Sequence, residues 1–159
     1  MNEGYTSGLE KNAGAGQRHA IVLTRWNSKI VEALKQGAIS ELTAFGVRSQ
    51  DIEIFYVPGA FELGSTAKGI ALTGRFASVI CLGCVIRGDT DHYQFVAGEA
   101  ARLIAMAAYD TQIPVIFGVL TTNTERQAED RAGSTGNKGA EAAQTAIEMA
   151  ALMARLKKP

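Results

Sequence analysis

Cysteine and histidine are both nearly absent from this 159-residue chain, two of each, and neither sign of charge is in excess: sixteen lysines and arginines meet sixteen aspartates and glutamates. Balanced charge creates no positive field of the kind that draws nucleic acid or an anionic bilayer, so neither is expected as a partner. No apolar run approaches the roughly 20 residues needed to span a membrane. The opening MNEGYTSGLEKNAGAGQ has no apolar signal core, which leads to the expectation of a cytoplasmic protein. Two distant histidines and carboxylates scattered over helical faces offer no metal-ligand spacing. A P-loop, a G-x-S-x-G elbow and a distinctive G-x-G-x-x-G are missing too, so no cofactor is expected. Any reaction must run on acid–base groups, positioning and the substrate's own reactivity.

The cysteines make CLGC (81 to 84), but the surrounding ASVICLGCVI reads as a buried strand. At ~3.3 Å per residue the two α-carbons are ~10 Å apart with side chains on opposite faces, too far for a disulfide. Cys81 and Cys84 are therefore expected to be reduced and to pack, leaving the backbone of Cys84 open for other duties.

What is present is an alternation. Residues 1 to 17 are small and polar without apolar periodicity and are expected to form a mobile arm, with one domain over 18 to 159. Short apolar runs at 19 to 24, 51 to 57, 77 to 86 and 114 to 121 read as strands, the third being the most continuous and hence central. Between and after them, helical spacing covers 28 to 46, 62 to 74, 92 to 110, 124 to 132 and about 139 to 156. Four strands alternating with helices predict a parallel sheet flanked by helices on both faces. In the last helix, Met149, Leu152, Met153 and Leu156 form one apolar stripe and Ala140, Ala143, Ile147 and Ala151 another. A surface helix of a monomer needs only one such stripe, so the small-residue stripe is expected to meet a neighbouring subunit, the alternative being a helix buried deeply within its own domain.

In open parallel sheets, ligands bind beyond the carboxyl ends of the strands. Those ends carry Arg25, Trp26 and Asn27; Pro58 to Glu62; Arg87 to His92; and Thr121 to Asn123. In RGDTDHYQF (87 to 95), Gly88 lets the backbone turn, Asp89 and Thr90 present amides, and a helix starting near Asp91 adds the positive end of its dipole. That is an anion site, which Arg87 or Arg131 could complete. His92 in the first helical turn is within reach of an anchored anion, and an imidazole is suited to proton shuttling. A solvated loop capped by Thr90 or Asp91 is the plainer reading. His19 opens the first strand at the wrong edge for a site and is expected to be structural or solvent-exposed.

Taken together, RWN (25 to 27), VPGAFEL (57 to 63), LGCVIRGDTDHY (82 to 93), PVIFGVLTT (114 to 122), and RAG with GNKGAEAA (131 to 143) resemble the lumazine synthase family. The resemblance covers the chain from about residue 18 onward. It implies a flavodoxin-like α/β/α fold and the condensation of 5-amino-6-(D-ribitylamino)uracil with 3,4-dihydroxy-2-butanone 4-phosphate, a step of riboflavin biosynthesis. By the same resemblance, Trp26 stacks on the pyrimidine, Ala60, Phe61 and Glu62 meet the ribityl chain and uracil edge, and Cys84, Val85 and Ile86 offer strand backbone to the ring. Asp89, Thr90 and Arg131 hold the phosphate, His92 is the acid–base residue, Phe117 lines the site, and Lys138 lies close to the pyrimidine. The resemblance also implies that Phe117 and the Arg131 region serve the site of an adjacent subunit.

Tryptophan stands where phenylalanine is usual, and its larger π surface implies detectable riboflavin binding. The RAGSTGNKG loop looks about one residue shorter than the commonest form, and no insertion resembles those of pentamer-only members. A hollow icosahedral shell of pentamers, sixty subunits in all, is thus expected over free pentamers, with riboflavin synthase as a possible partner. The alternative is a non-catalytic shell protein that binds flavin or a phosphorylated ligand.

Overall fold

The computed structural model describes residues 5–159; residues 1–4 of the expected arm lie outside the described residues. Four strands, β1 (His19–Thr24), β2 (Ile52–Val57), β3 (Ser78–Ile86) and β4 (Val115–Thr122), form one parallel sheet in the order β2-β1-β3-β4. Period-two alternation divides β1, β3 and β4 between two cores. Ile21, Leu23, Ile80, Leu82, Ile116 and Leu120 point to one face; Ala20, Val22, Val79, Cys81, Val115 and Val119 point to the other. Burial on both sides is why these runs read as continuously apolar rather than alternating.

Helices α1 (Ser28–Ala44), α4 (Glu125–Ala132) and α5 (Lys138–Leu156) cover the first face, and α2 (Leu63–Leu72) with α3 (His92–Thr111) covers the second. The result is the three-layer α/β/α architecture expected from the alternation of elements. Short 3-10 turns at Ser49–Asp51 and Ala60–Glu62, too brief to leave a periodicity, precede β2 and α2.

α5 is covered by its own chain and not, as expected, by a neighbouring subunit. Its buried face is Gly139, Ala142, Ala143, Ala146, Ile147 and Ala150, and it packs with Leu34, Ala38 and Leu42 of α1 in the same chain. Of the small-residue stripe assigned to a neighbouring subunit, Ala143 and Ile147 are fully buried in that contact, Ala140 is half-buried and Ala151 is exposed. Small residues here let two helices of one chain approach closely. A Cβ added at Gly139 would lie 1.9 Å from the Leu34 carbonyl oxygen. Met149, Leu152 and Met153 are half-buried and Leu156 is exposed.

Just before β1 the chain lies on this same face. The Gly14 amide donates to the Phe45 carbonyl at 2.9 Å, and the Gln17 side chain donates to the Ile147 carbonyl at 3.3 Å. Gln17 also approaches His19, whose Nε2 is 2.9 Å from Gln17 Oε1 and whose Nδ1 is 2.7 Å from Ser78 Oγ. His19 is fully buried, so of its two expected roles the structural one holds. Burial pushes its pKa down from 6.5 to about 4.

The cysteines behave as strand geometry requires. Cys81 faces the α2/α3 side and Cys84 the α1/α5 side; both are free and buried. Burial pushes the Cys81 thiol up to about 12, and burial aided by the Glu125 charge pushes Cys84 up to about 11. A disulfide exchange reagent at pH 8 should therefore modify neither thiol of the native protein within minutes and both after denaturation, since the thiolate is the attacking species. Rapid modification of the native protein would contradict this. His19 generates a second expectation. Its folded pKa lies below its unfolded value, so the unfolded chain takes up the proton first and the stabilisation is present above about pH 6.5 and lost as pH falls toward 4. The urea midpoint should fall across that window, and the fall should be shallower in His19→Gln; parallel pH profiles would contradict it.

Candidate active site

The central strand outruns its neighbour. The β1–β3 register ends at Leu23↔Leu82, whereas β3 stays paired with β4 as far as Ile86↔Thr122. The Arg87 amide donates to the Thr122 carbonyl at 2.8 Å and that of Val79 to the Pro114 carbonyl at 2.9 Å. Odd-numbered residues of β3 thus address β4. By alternation, Cys84 and Ile86 turn their N–H and C=O toward the side where β1 has already ended. This is the crevice between β1 and β3 where the chain's path across the sheet reverses, the position at which open α/β sheets bind ligands.

The loop leaving β1 closes one wall of the crevice. Arg25 donates its amide to the Val57 carbonyl at 3.0 Å, tying the loop to β2. Asn27 sits in the left-handed region at φ 54°, which asparagine tolerates better than most residues, and its side-chain amide donates to the Cys84 carbonyl at 2.8 Å. One of the Cys84 backbone groups expected to be open is therefore engaged, and Ile86 is left addressing the crevice. Between those two ties, Trp26 stands 73% exposed. Its indole passes over Gly59, where an added Cβ would come within 3.3 Å of both Trp26 Cδ1 and Glu62 Oε2. Glu62 accepts from the Gly59 amide at 2.9 Å, fixing the 3-10 turn that carries Ala60 and Phe61.

Together these residues enclose a cleft of about 630 Å³ lined by Trp26, Ala60, Phe61, Glu62, Cys84, Val85, Ile86, Thr90 and His92, with Asn27, Gly59, Gly88, Tyr93, Phe95 and Val96. Asp89 lies in the exposed turn beside Thr90. In that turn Thr90 Oγ1 accepts from the His92 amide at 3.4 Å, while Asp91 makes no side-chain cap. The amides of Gly88, Asp89, Thr90 and Asp91 have no protein acceptor among the described residues. Free amides thus lie ahead of the 20-residue α3, an arrangement in which a helix N-terminus can accept an anion. The expected role of Gly88 is not met: its φ is not positive, and open space surrounds the position a Cβ would take. Arg87 turns away, donating to Asn123 Oδ1 at 3.2 Å with its guanidinium 4.8 Å from the Tyr93 ring centroid.

Phe117, Arg131 and Lys138 are not in this cleft. They share another, of about 560 Å³, along β4 at the sheet edge with Thr121, Glu141 and Thr145. Phe117 is 46% exposed there. Arg131 Nη1 donates to the Gln127 carbonyl at 2.8 Å, and Lys138 pairs with Glu141 at 2.8 Å. Within one chain the expected residues thus fall into two groups on two faces. The described residues contain no group of three or more His, Cys, Asp or Glu arranged to hold a metal.

Two lining features escaped the sequence reading. Phe95 and Val96 belong to the cleft because they fall three and four positions after His92 on one helical face, a spacing visible in the sequence. The Asn27–Cys84 bond joins residues 57 positions apart and leaves no local signal.

The geometry can be set beside known proteins. The family described as 6,7-dimethyl-8-ribityllumazine synthase matches residues 16–154. The 6,7-dimethyl-8-ribityllumazine synthase of Syntrophus aciditrophicus (strain SB) is 48% identical over 142 residues, 89% of this chain and 92% of that protein. The chloroplastic enzyme of the same name from Arabidopsis thaliana is 47% identical over 140 residues, 87% of this chain and 62% of the longer plant protein. With the match spanning the whole sheet, the crevice at its reversal point and the β4 edge, the chain belongs to the lumazine synthase family.

Proposed function

We propose that this chain joins 5-amino-6-(D-ribitylamino)uracil to 3,4-dihydroxy-2-butanone 4-phosphate, giving 6,7-dimethyl-8-ribityllumazine, phosphate and water, and that each working site is assembled from two copies of the chain. The observation that carries the reading is the division just described. The crevice holds a stacking surface, strand backbone, an anion turn and a histidine, while the guanidinium and the second aromatic lie on an exposed edge of the same chain. Juxtaposing the β4 edge of one copy with the crevice of the next brings Phe117, Arg131 and Lys138 to the residues they lack. Pentamers, and a sixty-subunit shell built from them, are closed arrangements in which every copy both gives and receives such an edge.

In this reading the pyrimidine stacks on Trp26 and pairs with the backbone of Ile86, with Val85 beside it on the strand. The ribityl chain runs along Ala60, Phe61 and Glu62. The phosphate sits on the free amides of the Asp89–Thr90 turn, opposed by the adjacent copy's Arg131. The 5-amino group attacks the ketone and loses water to form an imine; loss of the proton at C3 then expels phosphate from C4, the resulting enol tautomerises to a ketone at C3, and the ribityl-bearing nitrogen closes the ring on that carbon with loss of a second water. Both substrates are already reactive, so orientation supplies most of the acceleration. His92, in the first turn of α3 beside the phosphate turn, supplies and removes protons at the imine and at the departing phosphate. No helix among the described residues is long and apolar enough to cross a membrane, in keeping with the proposed cytoplasmic setting.

Lumazine formation followed by absorbance should be enzyme-dependent. His92→Ala should lower turnover by about 100-fold, the low end of what one general acid–base group contributes, without abolishing it. Arg131→Ala should chiefly raise the KM for the butanone phosphate. Unchanged turnover in His92→Ala would remove its proton-transfer role, and the absence of any acceleration by the unsubstituted protein would overturn the reading.

A further inference from the structure

The loop between α4 and α5 carries a residue to which the reaction assigns no role. The Asn137 side chain makes four hydrogen bonds. Its Nδ2 donates to the Ala132 carbonyl at 2.8 Å and the Ala33 carbonyl at 3.2 Å; its Oδ1 accepts from the amides of Gly139 at 2.8 Å and Ala140 at 3.1 Å. An asparagine amide has two donor hydrogens and two acceptor lone pairs, so its whole capacity is used. Three helices are joined through this one group. Ala132 ends α4 one residue after Arg131, Gly139 follows Lys138 at the start of α5, and Ala33 lies within α1.

Room for this arrangement is made at a cost in helix stability. Gly37 lies inside α1, where glycine is about 1 kcal/mol less favourable than alanine. A Cβ at Gly37 would lie 2.2 Å from Asn137 Oδ1. Between the two cationic residues, the stretch from Gly133 to Gly136 is largely exposed, and Gly136 has φ +75°. Asn137 is thus the tie that determines how far apart, and at what angle, Arg131 and Lys138 are held.

We propose that Asn137 is a positioning residue for the phosphate-bearing substrate, acting through Arg131 and Lys138, and that Gly37 is retained in α1 to admit it. The inference rests on the functional reading above, and the test separates the two. Asn137→Ser keeps a neutral oxygen able to cap α5 but loses both bonds to the carbonyls of Ala33 and Ala132. Gly37→Ala leaves asparagine in place, improves the intrinsic helicity of α1 and displaces the tie. Each should raise the KM for the butanone phosphate about tenfold, less than the roughly hundredfold that a misplacement of about 1 Å can cost, with kcat within about twofold. The double variant should be no worse than Asn137→Ser alone, because both act on one contact.

If the unsubstituted protein forms lumazine while both single variants keep its KM, the positioning role is overturned and the functional reading stands. Equal losses in kcat and in both KM values, or failure of both variants to fold, would make Asn137 a purely structural tie and overturn it as well. An unsubstituted protein without turnover would overturn the functional reading and this inference together.

Discussion

Most of what this molecule can do depends on one mismatch in length. β3 is paired with β1 only to Leu82 but with β4 to Ile86, so the last residues of the central strand carry an unpaired backbone edge into a crevice. A buried strand edge normally demands a partner, because an unpaired peptide group away from water is costly. Here Asn27 satisfies one carbonyl and the remaining positions face the cleft. A planar heterocycle with alternating donors and acceptors is the kind of ligand that such an edge can treat as a further strand. The stacking surface of Trp26 and the free amides ahead of α3 then define the two ends of the space.

The helices translate that edge into a site. α1 starts at the loop that carries Trp26 and Asn27, and its middle turn receives Asn137 between Arg131 and Lys138. One helix therefore spans both groups of candidate site residues. Its packing is close enough that a Cβ at Gly139 would run into the Leu34 carbonyl and one at Gly37 into the Asn137 side chain. Rigidity of this kind serves a reaction whose substrates already have the necessary reactivity, since fixed geometry is what the protein can add.

Much of this was legible in the sequence, and the failures are physically instructive. Continuous apolar runs bounded by polar strand ends revealed the parallel sheet, the central place of β3 and the opposed faces of Cys81 and Cys84. The small residues of α5 were assigned to another subunit because periodicity reports which face is apolar without reporting what covers it; α1 of the same chain covers it. Gly88 is expected to let the backbone turn, yet its φ is not positive, so the bend that follows it does not depend on glycine. Phe95 follows His92 at helical spacing, so its place on the cleft wall is visible in the sequence. The ties made by Asn27 and Asn137 reach across 57 and 104 positions and belong to the folded chain alone.

The central claim is that one site takes its parts from two copies of the chain. It is tested most directly by unfolding His92→Ala and Arg131→Ala together, refolding the mixture and assaying it at butanone phosphate concentrations where each variant alone is slow. If adjacent copies share sites, some pairings unite an intact His92 with an intact Arg131. The mixture should then recover about a quarter of the unsubstituted activity, the fraction of random pairings with both halves whole. Activity no greater than the mean of the two separate variants would place the whole site within one chain and contradict the account.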